Sequence, residues 1–229
     1  MFKFDKLVFG DLGWGDELFF ATLMTITVSI LSMGLGLCLA IITVWAKLIT
    51  NRITRFIATF YTTVVRGVPE LLVIYLIFFG GNSVLMSVAK LFGYNGYIEL
   101  NALTIGTIAI AFISATYSSE VIRAAYLAVN KGQVEAAKAL GLSRIQIFLR
   151  VMGPQIIRHA LPGIGNVWQI TLKDTSLISV TGLVEIMRQT RIASNVEHSP
   201  LTFLITAAFL YLFLTTFSEI FGILRHPSG

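Results

Sequence analysis

Long stretches without a charged residue alternate along this chain with short clusters of Lys, Arg, Asp and Glu, and the lengths of those stretches predict its elements. Residues 18–46 carry no charge. As a helix rising 1.5 Å per residue they reach about 43 Å, more than the ~30 Å hydrocarbon core of a bilayer, so this helix spans with tilt. Residues 71–89 are also uncharged and are preceded by the apolar 56–65, with Arg66, Gly67, Val68, Pro69 and Glu70 between them. Proline and glycine there predict a kink or break in a second span. Residues 100–119 and 199–218 are clean apolar stretches, whereas 160–184 is equally long but holds Lys173 and Asp174 near its centre. The pattern predicts five transmembrane helices, at 18–46, 56–80, 100–122, 160–184 and 199–224, in a single transmembrane domain of residues 1–229.

Composition agrees: of 229 residues 55% are hydrophobic and 13% charged, against roughly 25% charged in soluble domains, and the mean hydropathy is +0.80. The fold class is all-α integral membrane. The spans consume the length, so any nucleotide-binding or ligand-binding domain belongs to another chain. The residues before the first apolar run mix Lys3, Asp5, Lys6, Asp11, Asp16 and Glu17, and the run is too long for a signal peptide's apolar core, so the first helix is expected to stay in the membrane. The single cysteine, Cys38, lies in an apolar run and reads as a small hydrophobe.

The net charge of +5 has two readings, a nucleic-acid patch or a topology signal, and its distribution decides. With the five spans placed, Lys47, Arg52, Arg55, Arg123, Lys131, Lys138, Arg144, Arg150, Arg158 and Arg225 fall on one side, and Lys3, Lys6, Lys90, Arg188 and Arg191 on the other. Ten against five places the N-terminus outside and the C-terminus inside. Asp5, Asp11, Asp16, Glu17, Glu99, Glu185 and Glu197 then fall outside, and no nucleic acid is implied.

The longest cytoplasmic connection, 124–159, has helical structure in its pattern. Asn130 precedes Lys131-Gly132-Gln133-Val134-Glu135-Ala136-Ala137-Lys138-Ala139-Leu140, and Gly141 supplies a stop. Ser143 offers an N-cap with Gln146 three residues on, and Ile145, Phe148, Leu149 and Met152 lay an apolar stripe before Gly153-Pro154. Two short helices at the membrane face suit a docking element, with Ala136 and Ala137 admitting another protein's surface. An ordinary interfacial loop is the plainer reading.

Here the residues carry a resemblance. Glu135-Ala136-Ala137, then Gly141, followed by Ile147-Phe148, Val151 and Pro154, resembles the cytoplasmic EAA loop of ABC-importer permeases. Tyr61-Thr62-Thr63-Val64-Val65-Arg66-Gly67-Val68-Pro69-Glu70-Leu71-Leu72 resembles the Arg-Gly-Thr-Pro signature of the polar amino-acid branch, and Leu172-Lys173-Asp174-Thr175-Ser176-Leu177 its fourth-span motif. Ala160-Leu161-Pro162-Gly163-Ile164-Gly165-Asn166-Val167-Trp168-Gln169 is closest to the histidine, arginine and opine permeases. The resemblance implies a type I importer permease subunit with a cytoplasmic coupling-helix loop, in a bacterial inner membrane, for polar and chiefly basic amino acids or opines. It implies alternating access, two ATPase subunits that bind ATP and magnesium, a periplasmic substrate-binding protein, and a second, non-identical permease subunit. Glu135, Ala136, Ala137 and Gly141 would form the ATPase contact. Two departures stand out. Gly153 occupies a position where the family usually has Leu, which would loosen that turn. Val167 stands where many relatives carry an acid, which weakens a full substrate site in this subunit.

Charges at mid-membrane cost several kcal/mol and generally face a cavity or partner. Asp174 and Lys173 point about 100° apart on a helix and cannot simply neutralise each other. Thr171 lies one turn from Asp174, and Gln169 and Ser176 lie beside Lys173. One reading is a substrate pathway in which Asp174 attracts a cationic group and Lys173 holds a carboxylate or a helix end; the other is an interhelical ion pair that fixes packing. Arg66 has two readings as well, a snorkelling arginine at a helix break or a paired residue near the pathway. Glu120 and Arg123 read as a structural salt bridge. His159, His198 and His226 are too scattered for a metal site. No Gly-Lys dipeptide occurs, which excludes a P-loop, and no nucleophile–base set stands out, so the chain reads as a transporter subunit without a cofactor of its own. The rival from another class is a self-contained ion-coupled secondary transporter or channel with Asp174 as its coupling group.

Overall fold

The computed structural model describes residues 3–94, 96 and 101–225, and side chains as far as residue 219. Glu99, Leu100 and His226 lie outside the described residues. A short 3-10 turn, Phe4–Leu7, precedes ten helices: α1 Gly15–Leu48, α2 Arg52–Gly67, α3 Glu70–Tyr75, α4 Gly81–Leu91, α5 Ala102–Ala128, α6 Lys131–Ala139, α7 Arg144–Ile147, α8 Gly153–Asp174, α9 Ile186–Glu197 and α10 Pro200–Arg225. A single π turn, Leu76–Gly80, joins α3 to α4, and α8 passes into a 3-10 turn, Thr175–Thr181.

Among the described residues four helices are long and apolar enough to cross a bilayer: Gly15–Leu48, Glu70–Leu91, Ala102–Ala128 and Pro200–Glu219. Two expectations are therefore redrawn. Over 56–80 the chain is broken rather than kinked: α2 ends at Gly67, Val68 is extended, and a new helix starts after Pro69. Proline excludes the helical conformation from the residue before it, so α2 stays a separate amphipathic helix and the apolar crossing helix runs on to Leu91. The stretch 160–184 is not one helix either. It holds the second half of α8, then the tighter 3-10 turn, then Gly182 at φ +100°, and Asn166, Gln169, Lys173 and Asp174 make it more polar than the other four.

The core is a seam between α1 and α5, the most extensive helix pair in the fold. Along α1 the buried positions Thr25, Ser29, Ser32, Gly36 and Ala40 recur every three or four residues, and Gly36 meets the small residues Ala111 and Ser114 of α5. A Cβ on Gly36 would lie 2.1 Å from Ser114 Oγ and 3.1 Å from the Ala111 carbonyl oxygen. Helices in a bilayer gain nothing from burying apolar surface against each other, so close approach through small residues supplies their dispersion contact. Ser32 Oγ also donates to the Thr107 carbonyl at 3.2 Å. Cys38 is exposed on the opposite side of α1 instead of packing.

Two polar arrangements tie down the remaining helices. Glu185, expected in an outer connection, is fully buried: it caps α9 by accepting from the Met187 and Arg188 amides at 2.8 Å each, and it accepts from the Tyr211 hydroxyl of α10 at 2.8 Å. The Ile186 amide donates to Thr25 Oγ1 of α1 at 3.3 Å. At the chain's start, Lys3 Nζ donates to the Glu197 carbonyl at 2.7 Å and to its carboxylate at 3.2 Å, Lys6 stands 3.9 Å away, and Trp14 Nε1 donates to Glu197 at 3.4 Å. This clasp closes residues 3–14 over the junction of α9 and α10.

Gly36→Ala is expected to lower the thermal midpoint of the purified protein, because overpacking a tight seam costs about 1–3 kcal/mol. Gly34→Ala, two positions away with nothing within 4 Å of the added carbon, leaves the midpoint unchanged. The clasp is expected to depend on pH. Partial desolvation works to raise the Glu197 pKa, but hydrogen bonds from Lys3 and Trp14 and the charges of Lys6 and Lys3 outweigh it, and the carboxyl sits below its ordinary value. A depressed acid stabilises the folded state above its unfolded pKa and loses that contribution as pH falls through the folded one. Intrinsic-rate-corrected hydrogen exchange of residues 3–14 should stay slow at neutral pH and rise as pH falls below about 4.3; Glu197→Gln should exchange fast at every pH.

Candidate functional site

Asp174 ends α8, and the chain tightens after it. That 3-10 turn runs beneath α3, which also packs on α5. Leu177 of the turn and Tyr117 of α5 pack with Val73 and Ile74 of α3 in one apolar cluster. The break at Pro69 thus carries Glu70 over α5, where the Tyr117 hydroxyl donates to Glu70 Oε1 at 3.0 Å. Asp174 is 7% exposed and accepts no hydrogen bond among the described residues. Burial of an unpaired carboxylate is unfavourable without a cation or donor to compensate it.

The other residues singled out from the sequence lie around it in different ways. Thr171 is buried, but its hydroxyl donates to the Val167 carbonyl of its own helix at 2.8 Å and lies 4.0 Å from the Met33 sulfur, so it does not hold Asp174. Ser176 donates to the Lys173 carbonyl at 2.8 Å. The Lys173 side chain is exposed, and no ion pair joins it to Asp174. Arg66 turns away toward a second cluster: its Nε donates to the Thr62 carbonyl at 3.1 Å and its Nη2 lies 3.4 Å from Glu120 Oε1. The expected Glu120–Arg123 bridge is present at 3.4 Å but is one contact of four helical positions. Lys47 Nζ, its side chain only 6% exposed, reaches Glu120 at 2.5 Å and Thr62 Oγ1 at 2.7 Å. Glu120 therefore binds α1, α2 and α5 together. Glu70, Tyr117 and Lys47 were not singled out from the sequence. Only Glu70 had a local signal, its position directly after the helix-breaking Pro69.

The segment between α5 and α8 follows its local chemistry closely. Asn130 caps α6 by accepting from the Gly132 amide at 2.8 Å, and Gly141 at φ +76° ends it, its amide donating to the Lys138 carbonyl at 2.9 Å. Ser143 and Gln146 form a full capping box at the start of α7. The α5 helix extends to Ala128 and α8 begins at Gly153, so the connection is shorter than 124–159. Gly153 does not loosen a turn. A Cβ there would stand 3.0 Å from the Phe148 carbonyl oxygen, so glycine admits the π turn Phe148–Met152 and lets it run directly into α8. Glu135 and Ala136 are exposed, whereas Ala137 is 4% exposed and packs into its own chain. The outward face consists of Glu135, Ala136, Gly141 and Leu140, the last 81% exposed. Gln155 Nε2 donates to Gln133 Oε1 at 2.6 Å, which couples α6 to α8. Among the described residues no cluster of His, Cys, Asp and Glu could hold a metal.

Residues 32–225 match the family described as binding-protein-dependent transport system inner membrane component. The nopaline transport system permease protein NocQ of Agrobacterium fabrum is 50% identical over 214 residues, covering 93% of this chain and 91% of that one. The histidine/lysine/arginine/ornithine transport system permease protein HisQ of Escherichia coli is 38% identical over 207 residues, covering 90% of each. Among solved structures, a chain of an amino acid ABC transporter crystallised with histidines superposes with a TM-score of 0.79 at 28% identity, covering 93% of this chain and 94% of that one.

The Glu120 cluster yields a contrast. Glu120→Gln strands the nearly buried Lys47 ammonium and is expected to cost about 3–5 kcal/mol, whereas Arg123→Ala removes a half-exposed partner and costs about 0–1 kcal/mol. Thermal unfolding of the two purified variants measures the difference, and equal midpoints would show that Glu120 does not hold the three helices.

Proposed function

The chain belongs to the family of binding-protein-dependent transport system inner membrane components, and from that premise we propose that it carries the translocation path for cationic amino acids or opines. It is a multi-pass permease subunit of an ABC importer, and ATP hydrolysis resides in a separate subunit. Family membership sets aside the self-contained ion-coupled transporter. The observation that carries the substrate reading is Asp174, a carboxylate 7% exposed at the end of α8 with no hydrogen-bond donor of its own. The missing partner is supplied by a positively charged substrate group. Relatives named for nopaline and for histidine, lysine, arginine and ornithine support that class.

The rest of the reading follows the same path. The five crossings are α1, α3 with α4, α5, α8 with its 3-10 turn, and α10, with the N-terminus outside on the strength of the basic residues in the connections. Lys173 and Ser176 stand at the rim of the substrate position, and Arg66 takes its place in the Glu120 cluster at the inner end. Glu135, Ala136, Leu140 and Gly141 form the face that meets an ATPase, since an exposed apolar residue beside small ones fits a groove in a partner. Two such ATPases hold ATP and magnesium, a second, non-identical permease subunit completes the membrane unit, and a periplasmic binding protein delivers the substrate. The helices rock between outward and inward access as the ATPases close.

Asp174→Asn keeps the volume and removes the charge. Loss of a charge-assisted hydrogen bond is worth about 1.5–3 kcal/mol, so uptake of a basic amino acid into proteoliposomes should fall roughly 10- to 100-fold in efficiency, with binding-protein affinity and thermal stability preserved. Normal uptake by the folded variant would exclude Asp174 as a substrate group; a fall in stability together with uptake would assign it to packing.

A further inference from the structure

We propose that Gln155 is the residue that passes motion of α6 on to α8: its side-chain amide pins α6 to the backbone of the π turn Phe148–Met152, and this turn is the joint about which α8 moves. The inference rests on the reading of α6 as the segment that meets the ATPase, and it deepens that reading by naming the positioning residue through which the contact acts.

Along the backbone α6 is poorly connected to α8. Gly141 at φ +76° ends α6, and the chain turns through Leu142 before Ser143 caps α7. A push on α6 is dissipated in that turn unless a second link bypasses it. Gln155 supplies the link. Its Nε2 donates to Gln133 Oε1 of α6 at 2.6 Å and to the Val151 carbonyl at 2.7 Å. A glutamine amide has two N–H donors, so both are engaged, one across to α6 and one on the π turn itself. Gln155 is half-buried and Gln133 is exposed, which places the bridge at the edge of the fold, where α6 can be drawn or pushed from outside.

The winding at this place is already loosened. From Arg144 to Asp174 the backbone stays helical without a gap. Over Phe148–Met152 it takes the wider π form, in which the Gly153 amide donates to the Phe148 carbonyl five residues back. The sequence accounts for this. Pro154 has no N–H, and its ring crowds the carbonyl four residues earlier, that of Arg150, so a regular α turn is disfavoured there. Gly153 has no Cβ to meet the Phe148 carbonyl oxygen, which would stand 3.0 Å from one. A single π turn inside an α-helix is a place where the winding can change while the helix on either side persists. Beyond it α8 acts as a lever: Gln155 and Asp174 lie about 28 Å apart along one helix, and the far end carries the buried Thr171, Leu172 and Asp174. The bridge is attached to the π turn, so force on α6 is applied where α8 yields.

The test is peptide-resolved hydrogen exchange on the complete importer complex in lipid nanodiscs, without nucleotide and with ATP plus vanadate, so that no transported substrate is needed; the melting temperature is measured alongside. In the wild type, exchange over 131–139 and over 148–160 should change together when the ATPases are trapped closed. Gln155→Leu and Gln133→Leu should keep the change over 131–139 and reduce that over 148–160 roughly 3- to 10-fold. Gln133→Glu keeps an acceptor for the Gln155 amide and should respond like the wild type. Gln155→Glu can still accept from Gln133 but no longer donates to the Val151 carbonyl, and it should lose the response over 148–160. A bond that only stabilises would raise exchange over 148–160 in both states and leave their difference intact; that result in either Leu variant overturns the proposal. If Gln155→Leu melts early, Gln133→Leu, at an exposed position, decides by the same criterion. A full response in Gln155→Glu, a lost one in Gln133→Glu, or a response lost over 131–139 as well in the Leu variants also overturns it. A wild type that responds over 131–139 but not over 148–160 refutes the role of Gln155 and leaves the ATPase reading standing, whereas one without a response over 131–139 removes both.

Discussion

Close backbone approach to α5 is the constraint on which the other features depend. Three glycine contacts place neighbours against this one helix: Gly36 of α1 faces Ser114, Gly163 of α8 faces Val121 with a would-be Cβ at 2.6 Å, and Gly106 of α5 itself faces Ile178 of the 3-10 turn at the same distance. In a bilayer such contacts replace the hydrophobic effect as the source of association between helices. They also decide where polar side chains can go. Once α1, α8 and the turn lie this close to α5, Tyr117 and Glu120, one helical turn apart on α5, face inward between them. Lipid exposure of either would cost several kcal/mol, so the seam that brings the helices together also gives these groups their only acceptable surroundings.

Two interruptions of helical geometry meet where α3 packs on the 3-10 turn that follows α8. Irregular backbone is excluded from the lipid but is acceptable where it borders a polar interior. Pro69 separates α2 from α3 and brings Glu70 inward; the passage from α8 into the 3-10 turn brings Asp174 inward from the other side. The second cluster, around Glu120, has the opposite character. Its acid is matched by Lys47, Arg66 and Arg123, and a matched cluster shared by three helices joins them as one body.

The segment between α5 and α8 connects to this frame through short links. Gln133 of α6 is bonded to Gln155 of α8, and α8 ends at Asp174, so a displacement of α6 bears on the helix that carries the buried acid. The π turn ahead of Gly153 adds one residue to the winding at the junction without breaking it. Away from that segment, Glu185 joins α9 to α10, and Lys3, Lys6 and Trp14 gather around Glu197.

The sequence alone determined the features that depend on neighbours within a few residues. Apolar runs reported helices long enough to cross a bilayer, Asn130, Gly141, Ser143 and Gln146 reported the ends of α6 and α7, and Asp174 stood out as a charge within an apolar stretch. Each follows from helix period, capping geometry or the cost of a charge in lipid, and none needs the fold. Only the tertiary structure decided that Glu185 is buried, that Ala137 turns inward, that Lys47 belongs to Glu120 and that Tyr117 donates to Glu70. Those outcomes depend on which helices approach across α5 and at what rotation. That rotation is set by contacts between glycines and side chains tens of residues apart, a distance over which periodicity along the chain carries no information.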